Sequence, residues 1–130
     1  MTELADFLRA RYAERRAIAE AASPWPWKVN PEDDEEVLAC DDILVADVFA
    51  LSGNQTRNTA TFIATNDPAD VLADLAAKLA IVDLMERTLR FAEEDSEIDH
   101  YGALGNADET LSLLARPFAG HADYQEDWAA

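Results

Sequence analysis

The chain has 130 residues, nearly half of them apolar, and a formal net charge of -17, a size that fits one domain over residues 1–130 with a core needing no staples. Such a charge repels nucleic-acid phosphates and anionic lipid, so the expectation is no direct nucleic acid, no membrane, and a partner with a basic surface. A lone cysteine, Cys40, forbids an internal disulfide; nothing resembles a signal peptide, no stretch nears the ~18–20 apolar residues of a membrane span, and a cytoplasmic protein is expected.

Thr2 to Ala22 reads as a helix. Thr2 suits its cap, Glu3 and Asp6 its positive end, and Leu4, Phe7, Leu8, Tyr12 and Ile18 its apolar face. Its other face carries Arg9, Arg11, Arg15 and Arg16, the one basic cluster, read as a solvated face paired with acidic neighbours. Ser23-Pro24 stops the helix, and the prolines make Trp25 to Val29 an extended piece. Asn30-Pro31 and the run Glu32 to Glu36 read as a turn and loop. Val37 to Ala39 and Ile43 to Phe49 read as strands around a tight connection at Cys40-Asp41-Asp42. The long helix that follows is the expected cover for this sheet.

Ser52 to Arg57 reads as a polar connection and Thr59 to Thr65 as a short helix bearing Ala60, Ile63 and Ala64 on one side. In Asn66-Asp67-Pro68, Asp67 is placed as a helix N-cap and Pro68 as the first helical residue. Val71, Leu75, Leu79, Val82, Met85 and Leu89 then form one apolar stripe of a long helix. Leu72, Ile81 and Leu84 lie off its centre, which is compatible with a homodimer. Ile98 to Ala107 reads as a loop. A short helix starts at Asp108 or Thr110 and ends at Pro117, and Phe118, Tyr124 and Trp128 are expected to fold back onto the core. The fold class is therefore α+β: an N-terminal helix, a three-stranded antiparallel meander, a helix pair (short then long), and a short C-terminal helix with a packed tail.

The acidity is concentrated. Residues 1–30 balance at +1, residues 31–56 at -8, residues 57–90 at -1 and residues 91–130 at -9.

Trp25 through Val48, followed by Ala60-x-x-Ile63-Ala64-x-x-Asp67-Pro68-x-x-Val71-Leu72, resembles a pattern of small phage-associated proteins, including the Ead-like phage early proteins. Phe7-Leu8-Arg9-Ala10-Arg11, Ala77-Lys78, and Leu113-Leu114-Ala115-x-Pro117-Phe118-Ala119-x-His121-x-Asp123-Tyr124-x-Glu126-x-Trp128 are similar to a domain-of-unknown-function family of small acidic proteins from actinobacteria and their phages. The resemblance implies the fold and such an origin, and carries no activity. Relatives place histidines where this chain has Phe62 and Asn66, and cysteines before the last helix, so no metal site is carried over.

Reaction chemistry finds little support in the residues. Cys40, His100 and His121 show no metal-ligand spacing. Asp41 and Asp42 beside Cys40 oppose a thiolate. Glu93-Glu94-x-x-Glu97 is similar to the opening of the magnesium site in MazG-type pyrophosphohydrolases, but Glu109 is followed three residues on by Ser112, so the second acidic pair is missing. No catalytic residue, metal ligand or cofactor is assigned.

The leading expectation is a non-catalytic protein–protein interaction module of phage-accessory type, acting on a host or phage protein. Its candidate partner-binding residues are Trp25, Trp27, Glu32, Asp33, Asp34, Glu35, Glu36, Glu93, Glu94, Asp95 and Glu97. The alternative is an acidic DNA mimic that inhibits a nucleic-acid-binding protein. A third reading, a small metal-dependent hydrolase, requires Glu93, Glu94, Glu97 and Asp108 to converge on a cation.

Overall fold

A computed structural model describes residues 2–94 and 102–129. The class is α+β, in the order α1 (Thr2–Ala21), β1 (Lys28–Asn30), β2 (Asp33–Leu38), β3 (Leu44–Asp47), α2 (Gly53–Thr65), α3 (Pro68–Glu94) and α4 (Ala103–Ala115). Two compact units share these elements, one made of residues 1–15 and 75–130, the other of residues 16–74.

The second unit is the meander and its cover. β1, β2 and β3 are antiparallel neighbours in that order, with Val29 opposite Val37 and Val37 opposite Ala46. Val37, Val48 and Ala60 are its buried centre, and Trp27, Val29, Val45, Ala46, Ile63 and Ala64 pack around them. The helix over the sheet is α2, not the long α3 that the sequence suggested. Thr56 and Ala60, its buried positions, are small enough to let the helix lie close to the strands. α3 uses its heptad-spaced Leu75, Val82 and Leu89 in the other unit.

Local chemistry explains where these elements begin. Ser52 caps α2 through a hydrogen bond accepted by Oγ from the Gln55 amide at 3.2 Å, so the helix starts six residues before Thr59 and includes the stretch read as a polar connection. Asp67 caps α3, accepting from the Asp70 amide at 2.9 Å, and its other oxygen takes the Trp27 amide at 3.1 Å. β2 begins at Asp33, so four acids read as loop are strand. Between β2 and β3 a 3₁₀ turn over Cys40–Asp42 places Asp41 and Asp42 at positive φ, a conformation that aspartate tolerates better than most residues.

In the first unit Leu4, Leu8, Tyr12, Leu75, Val82, Leu89, Leu111 and Ala115 are buried. α4 starts at Ala103, well before the expected Asp108 or Thr110, because Gly102 at φ 72° turns the chain and its carbonyl accepts the Asn106 amide at 2.9 Å. The remainder of the segment read as loop, residues 98–101, lies outside the described residues. The tail folds back as expected. The rings of Phe118, Tyr124 and Trp128 surround Phe7 with centroids 6.2, 6.1 and 5.0 Å away. Arg11 is buried beneath them, with Nη1 2.7–2.8 Å from both ring nitrogens of His121 and Nη2 donating to Glu14 at 2.9 Å.

Candidate functional site

The acidic hairpin of the second unit is ordered by its own short side chains. The Asn30 Oδ1 accepts the Glu32 amide at 3.0 Å while Nδ2 donates to Glu36 Oε1 at 2.9 Å. Asp33 Oδ1 accepts the Glu35 amide at 3.1 Å. These bonds use Asp33 and Glu36 internally and leave Glu32, Asp34 and Glu35 exposed. Arg57 of α2 reaches only as far as 3.8 Å from Asp34, a weak contact in water.

Beside the hairpin turn lies an open groove of about 500 Å³, lined by Lys28, Asn30, Pro31, Glu32, Glu36, Leu38, Asp42 and Leu44. Lys28 is tied to Asp42 at 3.0 Å. Three carboxylates therefore face one already paired ammonium, above apolar Leu38 and Leu44. Such a surface attracts a cationic side chain with an aliphatic stem.

An apolar loop adjoins the acids. The Val48 amide donates to the Glu35 carbonyl at 2.8 Å, which fixes the chain leaving β3 against the acidic strand. The next residues are then thrown into solvent: Phe49 is 86% exposed and Leu51 fully exposed. Sequence reasoning missed both, taking Phe49 as the end of a strand. The available signal was two large apolar residues immediately before the helix cap Ser52, where a turn needs none.

The candidate residues separate on inspection. Trp25 is 41% exposed and stands in the same unit as the acidic strand. Trp27 is half-buried against the sheet core, with Nε1 donating to the Ser23 carbonyl at 3.0 Å, so it holds the chain in place. Glu93 and Glu94 are exposed at the end of α3, in the other unit. Asp95 and Glu97 lie outside the described residues. No group of three His, Cys, Asp or Glu side chains among the described residues could hold a metal ion, and no helix among them is long and apolar enough to cross a membrane.

The arginines of α1 are engaged with neighbours. Arg9 donates to Asp83 at 2.7 Å and to Glu86 at 3.0 and 3.2 Å. The hydrogen bond from Arg9 holds the Glu86 carboxyl below its ordinary range, and Glu86 and Asp83 raise the guanidinium in turn. Arg16 pairs with Glu20 at 2.7 Å, and Arg15 lies over the Phe118 ring at 4.4 Å.

The chain belongs to DUF6221, a family of unknown function whose sequence model matches residues 1–130. No curated protein and no solved structure matches it.

Proposed function

We propose that this member of the family is a non-catalytic protein–protein interaction module of phage-accessory type, and that it recognises a host or phage protein carrying a basic, partly apolar surface. The observation that carries the reading is the adjacency of the acidic strand Asp33–Glu36 to the exposed Phe49 and Leu51, fixed by the bond between Val48 and Glu35. The carboxylates supply steering and selection against acidic partners. The exposed apolar side chains supply the part of binding that survives salt, since burying a large apolar side chain contributes ~1.5–3 kcal/mol.

The test is capture from actinobacterial lysate by tagged protein, compared between two neutralised variants. Asp34→Asn with Glu35→Gln is expected to capture less of the partner at low salt, where charge steering counts, and Glu93→Gln with Glu94→Gln to capture as much as the wild type. Equal capture by both variants and the wild type would place recognition elsewhere. Recovery of nucleic-acid-binding proteins alone, released by salt, would favour the DNA-mimic reading.

A further inference from the structure

Positions Leu75, Val82 and Leu89 of α3 are buried and spaced by seven, so the opposite side of the helix looks outward. That side is not polar. Ala77, Ala80, Ile81, Leu84, Thr88 and Phe91 form a continuous uncharged stripe, with Leu84 49% and Phe91 63% exposed. Thr88 turns its hydroxyl back to the Leu84 carbonyl at 3.0 Å, so its outer surface is effectively a methyl group. An open groove of about 330 Å³ runs along Leu84, Arg87, Thr88 and Phe91.

We infer that this stripe is a self-association surface, covered by α3 of a second copy lying antiparallel with Leu84 on the two-fold axis. Charge favours a second copy here. The chain carries -17 overall, but between Ala77 and Phe91 it has Lys78, Arg87 and Arg90 against Asp83 and Glu86. Two copies can therefore meet here without the like-charge penalty that their acidic segments impose. A basic partner of the kind drawn to the hairpin gains nothing on this stripe.

Size and pairing set the direction. The stripe is small at its Ala77 end and large at its Phe91 end. On helices of 3.6 residues per turn, an antiparallel pair centred on Leu84 sets each Phe91 over the other copy's Ala77 and each Thr88 over Ala80. A parallel pair would stack Phe91 on Phe91 and leave the alanines facing a gap. Asp83 and Arg87 lie on the same flank of Leu84. A two-fold axis keeps flanks on their own side, so each Asp83 comes beside the other copy's Arg87. Asp83 accepts from Arg9 through one oxygen, and a carboxylate has capacity for a second donor. The seam is about 21 Å long at 1.5 Å per residue, short enough that the dimer is reversible rather than permanent.

Sedimentation of the intact chain from about 5 to about 300 µM, a range suited to a short, reversible interface, tests this. The mass is expected to rise from 14.3 kDa towards twice that value. Leu84→Glu is expected to remain monomeric throughout, with an unchanged helical circular dichroism spectrum. For direction, Ala80→Cys and Thr88→Cys proteins, each also carrying Cys40→Ser, are mixed under mild oxidation. Antiparallel packing predicts cross-links between the two proteins and none within either alone. A wild type that stays at 14.3 kDa, or a Leu84→Glu variant that dimerises undiminished, overturns the surface. Cross-links only between identical variants overturn the antiparallel arrangement.

Discussion

Asp67 spends one carboxylate on two segments that are forty residues apart in sequence. One oxygen caps α3 at the Asp70 amide, and the other takes the Trp27 amide. The cap was legible, because an Asp-Pro pair before an apolar stripe is a helix-start signal with a mechanism. The second bond was not, since nothing in local sequence links residue 27 to residue 67. Asp67→Ala removes both acceptors. It is expected to cost about 2–3 kcal/mol, a lost cap plus an unpaired amide, as read by urea unfolding. Asp67→Asn keeps a side-chain oxygen for the Asp70 amide and is expected to cost less.

The Arg9–Glu86 pair makes a pH prediction at the same scale. Glu86 is depressed on folding chiefly by its hydrogen bond from Arg9. A carboxyl depressed in this way stabilises the fold above its unfolded titration range, and loses that contribution as pH falls through the folded value. Arg9→Met should therefore lower stability at about pH 7 and by less at about pH 2, as the Glu86 carboxylate takes up its proton. The difference should be under ~1 kcal/mol, because the arginine is partly solvated. Equal losses at both pH values would assign the effect to packing.

At the scale of elements, the period of the apolar residues gave α1 and the stripe of α3, and the prolines set the breaks around Pro24 and Pro68. What stayed hidden had physical causes. Four consecutive acids, Asp33–Glu36, have low strand propensity, yet the ladder to β1 and β3 and the Asn30 contacts hold them extended. The long helix was the expected cover and only Thr59 to Thr65 was read as helix before it, but α2 begins at Gly53 and its small buried residues Thr56 and Ala60 let it lie against the strands. Ala60→Leu is accordingly expected to cost about 1–3 kcal/mol by overpacking, as read by thermal unfolding. The tail offers a second test. Phe7 is the ring that Phe118, Tyr124 and Trp128 share. Phe7→Ala should destabilise the fold by about 3–5 kcal/mol and expose Trp128 to a soluble fluorescence quencher. A tail tryptophan still shielded in that variant would mean that other contacts hold it.

For the molecule as a whole, exposed apolar side chains stand in two charge settings, one acidic and one nearly neutral. The acids collect in residues 31–56 and 91–130; Phe49 and Leu51 stand out within the first of these, and Leu84 and Phe91 on a nearly neutral helix face. The candidate site was half legible from sequence. The run of acids was plain, but its apolar companion depends on how Val48 is pinned to Glu35, a contact with no local signature. The apolar half of this surface is tested most directly by capture with the wild type and with the Phe49→Ser, Leu51→Ser variant, at low salt and at about 0.5 M, where exposed charge contacts are largely screened. Both substitutions fall on exposed side chains, so the fold should be unaffected. Recognition through this surface predicts a discrete partner that survives high salt on the wild type and is lost from the variant. A partner held equally by both proteins, or one that leaves both in salt, would contradict it.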